Sequence, residues 1–289
     1  MIVAAGLTPA WQQILVFQQL HVGHVNRAQQ AVWCGSGKVL NVGAALKQLG
    51  AKSLTISPLG GATGQQIRDD FARRGIAARW VSTNVATRIC TTILDQATGV
   101  TTELVENSAA LTAAELARYT EVFVEEVCAA SDVVLSGSLP QGTPPSFYRS
   151  LMERVSARVI LDVRGRELLE CLPLRPFLVK PNREELATTV GRSFTTDDDV
   201  IEAMAEVRDL GAEWVVVSHG PAPLLVLGPN GLHRVEPPPV KALNPIGCGD
   251  SLTAAIAVQL AQGVTPLDAI SFGVTYAAHK AEQLLPVAP

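Results

Sequence analysis

Apolar positions recur along the chain in two alternating rhythms. Short β-branched runs stand at 53–60 (SLTISPLG), 131–140 (SDVVLSGSLP), 158–165 (RVILDVRG), 176–182 (PFLVKPN) and 213–220 (EWVVVSHG). Continuous apolar runs of this length predict strands buried on both faces. Between them, 37–50 (GKVLNVGAALKQLG), 146–156 (SFYRSLMERVS) and 195–211 (TTDDDVIEAMAEVRDLG) place apolar residues at helical spacing. Strand, helix, strand in repetition predicts βαβ units, a largely parallel sheet and an α/β fold. MIVAAG at 1–6 predicts the first strand.

Two stretches break the rhythm. Residues 11–34 and 87–107 are rich in β-branched and aromatic residues, have no helices of their own, and in the second case suggest a hairpin near Gly99. They predict a small β-sheet lid, built from insertions at about 11–35 and 87–107, over one edge of a single domain spanning 1–289. PLLVLGPNGLHRVEPPP at 223–239 predicts a further hairpin turning at Asn230-Gly231.

Composition narrows the classes. The 289 residues are 47% hydrophobic and carry a net charge of −4, so no basic face points to nucleic acid. The first Arg or Lys is Arg27, and no uncharged apolar run is long enough to cross a bilayer. Five cysteines without a CxxC spacing predict reduced thiols in a cytoplasmic compartment.

Candidate chemistry gathers where polar residues follow strands. SGSLP, DVRG, KPN and SHG each end an apolar run, and ligands of open parallel sheets bind outside the carboxyl ends of the strands. In KALNPIGCGDSLTAAIAVQLAQG (241–263), Gly247 and Gly249 free the backbone ahead of a helix predicted over 251–262 and stopped by Gly263. Exposed amides and a helix amino end form an anion nest. A carboxylate there, Asp250, repels a resting anion, but it suits proton removal from a hydroxyl during phosphoryl transfer. It also reads as an ordinary aspartate facing a helix dipole. Asn182 and Glu185 share a helical face and read as holders of a hydrated Mg²⁺ or equally as a capping box. Lys38 and Asn41, one turn apart, and Arg88, opening a lid strand, read as grips for a phosphate or sugar hydroxyls, or as ordinary surface cations. GSGKV at 35–39 lacks the first glycine and the Ser/Thr of a P-loop. His21 and His24 have no third ligand nearby in the sequence.

Taken together, LTPAW, GHVNRA, GSGKVLNVGAALKQLG, LGGATG, TRI with TELVEN, SGSLPQGTPPSFY, LDVRGREL, KPNREEL and NPIGCGDSLTAA resemble the ribokinase-like (PfkB) carbohydrate kinases from end to end. The likeness is nearest to the 1-phosphofructokinase and tagatose-6-phosphate kinase branch. That resemblance implies a three-layer αβα sandwich with a β lid, and ATP and Mg²⁺ acting on a sugar or sugar phosphate. It implies Asp250 as catalytic base and Gly247, Cys248 and Gly249 as anion hole. Asn182 and Glu185 would organise Mg²⁺ and the ATP phosphates, Ser218 and Gly220 would lie by the nucleotide, and Lys38, Asn41 and Arg88 would face the sugar phosphate.

The acceptor side departs from the branch. Thr8 and Gln12 stand where it has Asn and a sugar-gripping Asp, Ser36 and Val39 replace glycines, and Thr92 replaces a common lysine. A neutral hydrogen bond contributes roughly 0.5–1.5 kcal/mol against roughly 1.5–3 for an ionised one, so Gln12 predicts an altered acceptor. The reading is an ATP-dependent kinase of a phosphorylated hexose. Its rivals are a regulatory homologue without turnover and a kinase of an unphosphorylated sugar or nucleoside. Open lid edges predict a homodimer. Cys248, at a helix amino end, is pulled towards thiolate by the amides and away from it by Asp250.

Overall fold

Ile2–Ala5 (β1) is apolar at every position and wholly buried, the signature of a strand with covered faces. The computed structural model describes residues 1–285. β1 is followed by Ala10–Phe17 (β2), Gln30–Ser36 (β3), helix Lys38–Gln48 (α1), Ser53–Leu59 (β4), Gly61–Arg73 (α2), Ala78–Ser82 (β5), Ile89–Asp95 (β6) and Thr101–Val105 (β7). Next come Ala113–Val127 (α3), Asp132–Ser136 (β8), Phe147–Met152 (α4), Arg158–Asp162 (β9), Arg166–Cys171 (α5), Leu178–Val179 (β10), Arg183–Val190 (α6) and Asp197–Asp209 (α7). Trp214–His219 (β11), Ala222–Gly228 (β12), Gly231–Val235 (β13), Cys248–Ala261 (α8) and Pro266–Ala281 (α9) complete the described elements.

Nine strands form the main sheet in the order β13-β12-β11-β10-β9-β8-β1-β4-β5. It is parallel except for β12 and β13, which turn back antiparallel at one edge. Apolar clusters cover both faces: α1 and α8 contribute to one, α3 and α7 to the other. This is the ribokinase-like three-layer arrangement expected. The predicted hairpin at Asn230-Gly231 is present, with Gly231 at φ 103°.

The two insertions form a separate four-stranded sheet, β3-β2-β6-β7. Ile14, Val16 and Leu94 pack on Leu284 and Leu285, so this lid rests one face on the chain's carboxyl-terminal segment. Gly37, at φ 89°, turns the chain from the lid into α1, and a Cβ there would stand 2.7 Å from the Thr8 carbonyl.

Two boundaries differ from the sequence expectation. The strand predicted over 176–182 contributes only Leu178–Val179, because Pro181 interrupts the ladder and Asn182 already caps α6. Helix α8 begins at Cys248, not 251. Gly247 takes the left-handed conformation at φ 80° and completes the turn alone, which leaves Gly249 and Asp250 inside the first helical turn.

Candidate active site

Side chains from the ends of β3, β9 and β10 and from the starts of α1, α6 and α8 meet at the carboxyl edge of the parallel strands. Asp250 is buried at 6% exposure and receives a 2.7 Å hydrogen bond from Asn41 Nδ2. Asn41 Oδ1 in turn accepts from Ser36 Oγ at 3.0 Å. The amide is thus fixed in orientation, and it fixes the carboxylate. Burial first, then the charge of Asp162, push the Asp250 carboxyl up to about 6, against the opposing pull of Lys38 and the Asn41 bond. A carboxylate tuned upward in this way is a stronger base and is still ionised at neutral pH. In the first turn of α8 the Cys248 amide donates to the Pro245 carbonyl at 3.3 Å and the Ser251 amide to the Gly247 carbonyl at 2.9 Å.

Lys38 Nζ bridges two carboxylates, Asp162 Oδ1 and Glu185 Oε1, each at 2.7 Å. Burial disfavours its ammonium, but Asp162, Glu185 and Asp250 outweigh burial and raise its pKa. Asp162 also holds Lys180 at 3.3 Å and accepts from Thr253 Oγ1 at 3.1 Å. Its carboxyl is raised by burial and lowered more by Lys180 and Lys38, so it stays below the usual range. A Cβ on Gly249 would lie 3.5 Å from Lys180 Nζ, which puts this ammonium against the first turn of α8. Asp162, Lys180 and Thr253 were not singled out as site residues in the sequence. The signal for the first two was present: each directly follows or ends a buried strand, in DVRG and KPN.

Asn182 and Glu185 form a complete capping box on α6. Glu185 N donates to Asn182 Oδ1 at 2.8 Å, and Asn182 N donates to Glu185 Oε2 at 2.9 Å. The capping-box reading of this pair is met. Among the described residues no three His, Cys, Asp or Glu side chains cluster to cage a metal. A hydrated Mg²⁺ needs less, a carboxylate or two with waters and phosphates. Glu185 Oε1 fits that requirement, because its partner is the Lys38 side chain rather than backbone. Ser218 makes an isolated parallel bridge with Asn182, and Gly220 turns β11 into β12 at φ 55°.

The acceptor candidates divide. Lys38 is tied to the carboxylates of Asp162 and Glu185. Arg88 donates to the carbonyls of Thr8 and Glu106 at 3.1 Å and of Pro9 at 3.4 Å, so it braces the root of the lid. Gln12 Nε2 donates to Thr92 Oγ1 at 2.7 Å, and both are buried. The two residues that depart from the branch on these strands are thus partners of each other, a neutral pair. In register, Gln12 lies between Cys34 and Cys90. Thr8 Oγ1 bonds the Ser138 carbonyl at 3.2 Å.

At Cys248 the two opposing pulls resolve against the thiolate. It is partly buried, and burial first, then Asp250, push its thiol up to about 11 against Lys280. Desolvation and the neighbouring carboxylate outweigh the helix amino end.

A buried, oriented carboxylate in the first turn of α8 thus lies at the mouth of the parallel sheet, near the ion-paired Lys38, Asp162 and Glu185. The chain belongs to the pfkB family carbohydrate kinases, whose model matches residues 10–287. It is 32% identical over 273 residues to the ATP-dependent 6-phosphofructokinase isozyme 2 of Escherichia coli K12, covering 93% of this chain and 88% of that one. The structure of phosphofructokinase-2 from Escherichia coli in complex with fructose-6-phosphate superposes with a TM-score of 0.87 at 30% identity, covering 97% and 94% of the two chains. A possible 1-phosphofructokinase from Thermotoga maritima gives a TM-score of 0.92 at 21% identity, over 100% of this chain and 94% of that one, and shares the fold.

Proposed function

We propose that the protein transfers the γ-phosphoryl group of ATP to a hydroxyl of a phosphorylated hexose, with Asp250 accepting the hydroxyl proton. The observation that carries this reading is the Asp250 carboxylate, buried in the first turn of α8, held by Asn41 and raised to about 6. The backbone of Gly247, Cys248 and Gly249 faces the transferred group, and Lys180 adds positive charge beside it. Ser218 and Gly220 line the nucleotide, and Asn182 and Glu185 set its phosphates. Mg²⁺, when bound, neutralises phosphate charge. Arg88 and Gln12 belong to the acceptor side, under the lid.

The acceptor we propose is of the fructose 6-phosphate type, with fructose 1-phosphate and tagatose 6-phosphate as the nearest alternatives. The 32% relative named as a 6-phosphofructokinase supports the first. The neutral Gln12–Thr92 pair distinguishes this acceptor site from one built on a charged Asp. A coupled ADP-release screen over these three sugar phosphates and their unphosphorylated parents tests the reading. Acceptor-dependent release is expected with a sugar phosphate. Release with unphosphorylated sugars alone would replace the acceptor, and none with any member would count against the kinase reading.

We propose also that two copies pair through the lid in a reducing cytoplasm. The lid edge β7 is largely exposed, with Leu104 at 55%, and the first half of the other edge, β3, is open as well, with Trp33 at 40%. All five cysteines are free.

A further inference from the structure

We propose that Lys38 is a displaceable internal cation: it occupies Glu185 Oε1 until Mg²⁺ competes it off, so that metal and ammonium exclude each other at that oxygen. The inference rests on the assignment of Glu185 to the metal. Its support is the bookkeeping of hydrogen bonds on α6. Asn182 Oδ1 is taken by the Glu185 amide, and Glu185 Oε2 by the Asn182 amide. Giving up either would uncap the helix. Glu185 Oε1 is taken only by Lys38 Nζ, at 2.7 Å, and a divalent ion on the same oxygen repels the ammonium at that range.

Lys38 is built to leave. It is the first residue of α1, where the helix amino end disfavours a cation, so the carboxylates are what hold it there. Its side chain is 33% exposed, against 9% for Glu185 and 1% for Asp162, and four methylenes let the head swing while the stem stays put. Asp162 remains partnered when it goes, because Oδ2 keeps Lys180 and Thr253. The released ammonium needs a new anion, and nucleotide phosphates brought with the metal supply one. The free protein therefore binds metal weakly, and nucleotide makes it bind metal well. The coupling is reciprocal.

The test is Mn²⁺ binding to the nucleotide-free protein, read by electron paramagnetic resonance of the free ion, for the wild type, Lys38→Met and Lys38→Arg. Lys38→Met is expected to bind Mn²⁺ roughly tenfold more tightly than the wild type. Lys38→Arg restores a cation that bridges both carboxylates and is expected to bind as weakly as the wild type. Equal or weaker binding by a folded Lys38→Met overturns the proposal, as does tightening by Lys38→Arg equal to that of Lys38→Met. A second measurement uses the wild type alone: acylation of Lys38, followed by mass spectrometry, with MgCl₂ at a concentration that displaces bound Mn²⁺ completely, against KCl at equal ionic strength. Labelling is expected to rise severalfold with Mg²⁺, as two short hydrogen bonds are released, and unchanged labelling overturns the proposal. Neither readout involves turnover, so failure here and failure of the sugar-phosphate screen are separate results.

Discussion

Replacing Asp250 by Asn should make the protein more stable at pH 8 and leave it nearly unchanged at pH 4. The folded environment raises this carboxyl from the ordinary 3.8 to about 6. Each tenfold in proton affinity is worth about 1.4 kcal/mol, so keeping Asp250 ionised costs the native state roughly 3 kcal/mol. The folded protein binds this proton more tightly than the unfolded chain. Its contribution is therefore fully present below pH 3.8 and is lost as pH rises through 6. Asn is neutral throughout and still offers an oxygen to Asn41 Nδ2. A gain of roughly 3 kcal/mol corresponds to about 6 °C in Tm for a chain of this size. Thermal melts of both proteins followed by circular dichroism at pH 8 and pH 4 measure it. A gain of the same size at both pH values, or a loss at pH 8, would refute the claim that burial and Asp162 strain this carboxylate.

Arg88→Ala removes the three bonds that brace the lid root and so should raise KM for the sugar phosphate under the lid by about tenfold or more, moving KM for ATP far less. Equal rises in steady-state kinetics would take Arg88 away from the acceptor. Thiol alkylation of Cys248 should be slow at pH 7.5 and quicken as pH approaches 11, because only the thiolate reacts and the thiol is held near 11. The adduct should inactivate, ATP with Mg²⁺ should protect, and Cys248→Ala should stay active and resist the reagent. Mass spectrometry must locate the adduct, since Cys128 is exposed; a Cys248 adduct with full activity would place this turn off the phosphate path.

The alternation of buried strands and helices, the lid insertions and the turn at Asn230-Gly231 were legible because each rests on local periodicity and turn chemistry. Asp250 stood out because two glycines preceded it. What escaped was set by pairing across the chain. Lys38 reads locally as a solvent-facing cation, yet its partners lie 124 and 147 residues away, and only the order of β9 and β10 in the sheet brings them together. Gln12 and Thr92 looked like two separate departures. The register of β2 on β6, invisible in either segment alone, makes them one hydrogen-bonded pair. The start of α8 was misplaced because a single left-handed glycine, Gly247, makes the turn for which two glycines had been reckoned.

The central claim is that Asp250 removes the acceptor's proton, and turnover of Asp250→Asn measured beside its ATP affinity tests it most directly. With the acceptor identified by the sugar-phosphate screen, kcat is expected to fall by roughly 10²–10⁴, the usual worth of a positioned general base. The dissociation constant for ATP, read by calorimetry, should stay that of the wild type. Near wild-type turnover in the folded variant would contradict the account.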